Sequence, residues 1–310
     1  MGNIAPATTS PGGLPEGPER ANGTEGTDGT DPTDGKEGKE GLAGQVGGRP
    51  NRSFLRSLAI QTRIIGALLM REVITRYGRH SIGFLWLFVE PMIFTLGVTA
   101  LWTAVQSSHN VRLPIVAFAV TGYSSVLLWR NMPNRLVGAV GPNLALMYHH
   151  NVKVFDVYAS RLALEALGAS ISFSVLTLCF VAMGWMQWPE DVGKVLLGWF
   201  MLAWFGASLA LLVGAISERT EIVEKVWPPL TYLIFPLSGA AYMVDWLPAA
   251  AQNAVLYLPM VHGVELLREG YFGSAVRAHY DMVYMASACL GLTFFGLVQE
   301  RHISRRLSPE

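Results

Sequence analysis

Charge is what this 310-residue chain has least of: Asp, Glu, Lys and Arg make up 15% of it, against ~25% in soluble domains. With 51% hydrophobic residues and a net charge of zero, it has neither the surface of a soluble enzyme nor the basic excess that nucleic acid attracts. It belongs among polytopic membrane proteins. Cysteine is nearly absent. Cys179 and Cys289 both sit in apolar runs and read as small core residues, silent about redox compartment. Residues 1–50 lack Phe, Trp and Tyr and hold 13 of the 32 glycines. Such a segment cannot bury enough apolar surface to offset its ordering entropy, so a disordered tail is expected over 1–51. It also lacks a basic region leading into an apolar one, which excludes a signal peptide. No G-x-x-x-x-G-K-[ST] phosphate loop occurs; Gly35-Lys36 and Gly38-Lys39 lie in the tail with no strand before them.

The zero net charge is a sum of unlike parts. Residues 1–50 carry four Lys/Arg against eight Asp/Glu, and residues 51–310 carry 19 against 15. The basic part opens with an amphipathic stretch. At 100° per residue, Arg52, Arg56, Arg63 and Arg71 share one helical face, opposite Leu55, Leu58, Thr62, Ile65, Leu69 and Val73. That pattern suits a helix lying in a membrane surface, over residues 52–80 and closed at Tyr77-Gly78.

The transmembrane part, 81–300, reads as six spans: 82–105, 113–129, 157–185, 192–216, 226–244 and 281–298, followed by a short tail, 301–310. The first exceeds the ~30 Å hydrocarbon core at roughly 1.5 Å per residue. A helix is also expected around Gly141 to His150. Putting the N-terminus inside places 14 Lys/Arg on inside segments and four on outside ones, so both termini are expected in the cytoplasm. Residues 245–280 hold two apolar pieces too short to cross, near Pro248–Leu258 and His262–Leu267, which read as re-entrant half-helices shaping an outer mouth. The expected fold is therefore all-α, with six transmembrane helices, an N-terminal interface helix and half-helices before the last span.

Three stretches carry a resemblance. Met70-Arg-Glu-Val-Ile-Thr-Arg-Tyr-Gly-Arg-His-Ser-Ile-Gly-Phe-Leu-Trp through Glu90-Pro91 resembles the amino-terminal signature of ABC-2 type permeases, and more narrowly the membrane subunit of capsular polysaccharide exporters. Asn151-Val-Lys-Val-Phe-Asp156, with Arg161 and Glu165, is similar to that family's first cytoplasmic loop. Leu258-Pro-Met-Val-His262-Gly-Val-Glu-Leu-Leu-Arg268-Glu-Gly-Tyr-Phe-Gly273 resembles its outer re-entrant region. The resemblance implies a homodimeric permease of the bacterial inner membrane that exports a lipid-linked, acidic capsular polysaccharide, with O-antigen or teichoic acid as the alternative cargo. It implies two copies of a separate cytoplasmic P-loop ATPase, which would hold the ATP and Mg, and suggests a periplasmic co-polymerase and an outer-membrane export protein. No cofactor or metal is expected in this chain. The rival class, a membrane-embedded transferase acting on lipid-linked sugars, needs an intramembrane His/Asp/Glu constellation. The spans offer only Glu90, Arg161 and Glu165.

With the resemblance in hand, residues 143–155 become the coupling helix that docks into the ATPase. Tyr148 and Phe155 are its apolar anchors, and His149, His150, Asn151 and Lys153 its polar contacts. Arg71, Glu72 and Arg76 on the interface helix join this group. Glu72 and Arg76, at i, i+4, are expected to pair, and so are Arg161 and Glu165. Glu90 is a candidate pathway charge, since an ionisable group in a span is costly unless it faces an interior or a partner. Phe84, Trp86, Phe94 and Tyr123 offer aromatic faces on which sugar rings stack. Trp102, Trp129, Trp185 and Trp188 read as an interface belt. In the outer segment, His262 and Glu265 have a metal-compatible spacing without convergent ligands. Arg268 either contacts an acidic glycan or stabilises the end of a half-helix.

Overall fold

The computed structural model describes residues 54–78, 113–150 and 152–307, with single positions between 89 and 100. The tail over 1–51, most of the first expected span, Phe84, Trp86, Glu90, Phe94, Trp102 and Asn151 lie outside the described residues. Residues 52 to 310 form one compact unit, and every regular element among the described residues is helical.

The amphipathic stretch forms α1, Phe54–Tyr77. Next comes α2, Ile115–Leu136, then a 3-10 turn, Gly141–Asn143, leading into α3, Leu144–His150. Helix α4 is Val154–Ala182 and α5 is Val192–Ser217. Helix α6, Glu221–Ile234, tightens into a 3-10 turn at Phe235–Ser238. Two more helices follow, α7 (Ala249–Val255) and α8 (Pro259–Phe272), and the described chain ends in α9, Met282–Leu307.

Three of these helices, α4, α5 and α9, are long and apolar enough to cross a membrane. Their starts are set by side chains. Asp156 accepts the Lys153 N–H at 3.0 Å to open α4, Asp191 accepts from the Lys194 N–H to open α5, and Asp281 accepts from Val283 and Tyr284 to open α9. Helix α5 is the hub, packing against α2, α8 and α9, while α4 packs against α2 and α1. Close packing on α5 depends on glycines that face two different neighbours. A Cβ on Gly206 would stand 2.8 Å from the Trp129 Cα of α2, and one on Gly198 would stand 2.8 Å from the Leu267 nitrogen of α8. Backbones meet there because no side chain intervenes.

Several expectations change. The run expected to end at Trp129 continues as helix to Leu136, through Pro133. Trp129 is not a belt residue: it is 1% exposed and packs edge-on against Phe205. Trp185 and Trp188 do remain exposed. Cys289 is buried as expected, but Cys179 is exposed on the outer face of α4, beside Leu178 and Val175. A 29-residue helix places only part of its surface against neighbours, so an apolar position does not imply a core position. The single helix expected over 143–155 is divided, because α3 ends at His150 and Phe155 already belongs to α4.

Candidate functional site

A polar network among the described residues joins α1, α4, the end of α2 and the turn before α3. Arg76 of α1 donates to Glu165 of α4, and Arg135 at the end of α2 donates to the same carboxylate oxygen at 3.0 Å. Glu72, one turn before Arg76, pairs instead with Arg161 of α4 at 3.4 Å. The two expected i, i+4 pairs are therefore replaced. Each of the four charges reaches across the helix–helix contact, because a bonded partner on a neighbouring helix also covers the apolar seam between them. Glu165 is 6% exposed, so its two arginines supply what water would otherwise supply.

Two further contacts fix α1 at other heights. Gln61 donates to Asp156, whose other oxygen caps α4. Arg71 donates to Asn143 Oδ1 at 3.1 Å, and Asn143 in turn donates to the Ala139 carbonyl. Helix α1 is thus bound to α4 and to the start of α3. Sequence reasoning missed Gln61, Asn143 and Arg135; their partners lie 95, 72 and 30 residues away, and no local spacing reports such a pair.

Helix α3 presents its candidates to solvent. Tyr148 is 72% exposed and Leu144 43%, with Lys153 and Phe155 also exposed just beyond it. His149 and His150 are helical; their side chains lie outside the described residues. Behind α3, residues 138–140 are held by the junction between α5 and α6. Ser217 Oγ accepts the Gly138 N–H at 3.2 Å and Glu218 accepts the Val140 N–H at 2.9 Å. Burial pushes the Glu218 carboxyl above its ordinary value of 4.5, and the neighbouring Glu224 adds to the rise, against the opposing pull of the Val140 N–H and Arg161.

The residues singled out in 258–273 form a second network, on α8. Arg268 is completely buried and its guanidinium lies 3.8 Å from the centre of the Phe118 ring of α2. It donates to the carbonyls of Gly239, at 2.6 Å, and of Ala240 and Tyr242. It therefore satisfies carbonyls of the loop that follows the 3-10 turn after α6, not those at the end of its own helix. Gly122 makes room: a Cβ there would stand 2.7 Å from Arg268 Nη2. Glu265 accepts the N–H groups of Val244 and His279 at 3.1 and 3.0 Å. His262 contacts the Leu256 carbonyl through Nε2 and accepts the Asp281 N–H at Nδ1. All three side chains are engaged by backbone, and together they set the path of 239–247 and 279–281. Tyr123, the pathway candidate within the described residues, is 9% exposed in α2.

Similarity to known proteins extends over nearly all of this architecture. The profile described as ABC-2 type transporter matches residues 63–272. The capsule polysaccharide export inner-membrane protein CtrC of Neisseria meningitidis serogroup B is 43% identical over 258 residues, 83% of this chain and 97% of that protein. The capsule polysaccharide export inner-membrane protein BexB of Haemophilus influenzae is 41% identical over the same shares. The polysialic acid transport protein KpsM of Escherichia coli is 24% identical over 242 residues, 78% of this chain and 94% of that protein. The chain belongs to the ABC-2 type transporter family.

Proposed function

We propose that this chain is the permease subunit of an ABC exporter that moves a lipid-linked, acidic capsular polysaccharide across the bacterial inner membrane. The observation that carries this is the match at 41–43% identity along 97% of two capsule polysaccharide export inner-membrane proteins. The aligned 258 residues take in nearly the full length of both relatives, so the likeness is not confined to one segment of them.

In this reading the chain acts as a homodimer of six-span subunits with both termini in the cytoplasm, and α7 and α8 are the half-helices of an outer mouth. Two copies of a cytoplasmic P-loop ATPase dock against α3. Tyr148 and Leu144, exposed apolar side chains on a short helix, suit insertion into a groove on such a partner. Lys153, Phe155, His149, His150 and Asn151 flank them. Arg71, Glu72 and Arg76 act one step back: their contacts to Asn143, Arg161 and Glu165 make α1 move with α3 and α4. Glu90, Phe84, Trp86, Phe94 and Tyr123 are the proposed pathway residues. The work is mechanical, with ATP and Mg held by the partner. A periplasmic co-polymerase and an outer-membrane export protein would receive the polymer.

The test is purification of the full chain from its native membrane and assay of ATP hydrolysis by whatever cytoplasmic protein accompanies it. The proposal expects a P-loop ATPase that is lost from a Tyr148→Ala/Phe155→Ala double variant. A chain that purifies alone in every detergent and in lipid nanodiscs overturns it.

A further inference from the structure

Helix α9 changes character along one face. Phe294, Val298, Arg301 and Arg305 fall at i, i+4, i+7 and i+11, and all four are exposed. The opposite face, with Met285, Cys289, Glu300 and Ile303, is buried. The outward stripe is thus apolar as far as Val298 and cationic from Arg301. Counted from Met282 at about 1.5 Å per residue, the ~30 Å hydrocarbon core is crossed by roughly residue 302. The guanidiniums of Arg301 and Arg305 therefore stand where acyl chains give way to phosphates.

Further cations gather at this end. His302 and Arg306 are exposed on the same two turns. Arg219, in the link between α5 and α6, donates to Gln299 Oε1 at 2.6 Å, which fixes it beside α9. Its charge and those of Arg305 and Arg306 all reach His302. Arg76, Arg135, Arg161, Lys194 and Lys225 each have a carboxylate partner, whereas Arg219, Arg301, Arg305 and Arg306 have none among the described residues. Crowded like charges without a counter-charge repel one another, so the cluster gains from an anion.

We infer that the C-terminal end of α9, with Arg219, binds an anionic phospholipid, its phosphate among the guanidiniums and an acyl chain along Phe294 and Val298. Continuity of the stripe is what favours a lipid over a soluble protein: a ligand anionic at its head and apolar behind it fits both halves. The planar fork of arginine suits phosphate oxygens. The positive charge that orients a membrane protein needs only its sign, whereas Arg219 is brought to α9 by folding, from 80 residues away. The inference requires that α9 crosses the bilayer and is independent of the cargo.

The test is a titration of the full chain, purified in detergent, with phosphatidylglycerol and with phosphatidylcholine of the same acyl chains, bound lipid being counted by native mass spectrometry. Glycerol 3-phosphate, a headgroup without chains, is the third probe. Variants are Arg301→Gln/Arg305→Gln, Arg219→Gln and, as a control, Arg277→Gln on the loop before α9. All four side chains are exposed, so each variant should keep the lipid-free melting midpoint of the unaltered chain. Phosphatidylglycerol should bind more tightly than phosphatidylcholine by about tenfold or more, and should raise the melting midpoint. Arg219→Gln should weaken it roughly fivefold and the double variant roughly 25-fold, with Arg277→Gln without effect. Equal affinity for the two lipids overturns the site, as does a loss in Arg277→Gln as large as in Arg219→Gln. Glycerol 3-phosphate binding as tightly as the lipid also overturns it, by making the site one for a free anion. So does loss of the copurified ATPase from the double variant at unchanged lipid affinity, which assigns the patch to a protein partner.

Discussion

Arg76 and Glu165, 89 residues apart in sequence, are bonded at the contact between α1 and α4, and Arg135 shares the same carboxylate. One buried acid thus joins three helices. Glu165→Ala takes the buried carboxylate from Arg76 and Arg135, and we expect a loss of about 1.5–3 kcal/mol, the range for hydrogen bonds to charged groups. The loss should appear as a lower melting midpoint of the solubilised protein. The paired reversal Arg76→Glu/Glu165→Arg should recover part of it, and only part, because Arg135 then meets a like charge.

Arg268 gives a sharper test of burial. Arg268→Met removes the donors of three carbonyls in a fully buried site, at roughly 1–3 kcal/mol for each group left unsatisfied. Folded, monodisperse protein should fall to a small fraction of the unaltered yield. Gly122→Ala, a different helix and a smaller change, should also cost stability, because its Cβ meets the Ala240 carbonyl oxygen and the guanidinium and so crowds the same bond. Arg268→Lys should fall between Met and the unaltered chain.

Stability should depend on Glu218 in a pH-dependent way. Burial raises its carboxyl above 4.5 in the folded chain, so folding favours the protonated form. The favourable contribution is complete below the unfolded value and is lost as pH rises through the folded one. Glu218→Gln, which cannot ionise, should therefore gain melting temperature over the unaltered chain more at pH 7.5 than at pH 4.5. Equal differences at both values would contradict this.

On α5, Gly206→Leu should separate α5 from α2, since a Cβ alone already meets the Trp129 Cα at 2.8 Å. Overpacking of this kind costs about 1–3 kcal/mol. Leu197→Ala, on the exposed side of the same helix, should stay within about 0.5 kcal/mol by thermal melt.

How much of this the sequence declares follows from the range of the interaction concerned. Apolar runs and their caps are local, so α4, α5 and α9 begin within about three residues of where the pattern puts them, and the helix over Gly141–His150 is present as a 3-10 turn followed by α3. Partner choice is not local. Glu72–Arg76 and Arg161–Glu165 each have the spacing of a helical pair, yet the packing of α1 on α4 offers partners that also cover the seam. Trp129 sits at the end of an apolar run, like a belt residue, but Arg130 through Leu136 continue the helix and carry it inside. The glycines of α5 had a readable signal, small residues at Gly206, Ala210 and Gly214 on the side that meets α2. Arg268 was legible as a residue of interest but not as the donor to the carbonyls of Gly239, Ala240 and Tyr242, which lie 29, 28 and 26 residues away.

Export itself can be followed in inverted membrane vesicles that contain the full chain and its copurified ATPase, loaded from outside with lipid-linked capsular polysaccharide. Polymer should become protected inside the vesicles only with ATP and only when both proteins are present. Tyr148→Ala/Phe155→Ala in the chain should abolish protection. Protection that proceeds without the ATPase, or ATP hydrolysis by the joined complex that never moves polymer, would contradict the proposed function.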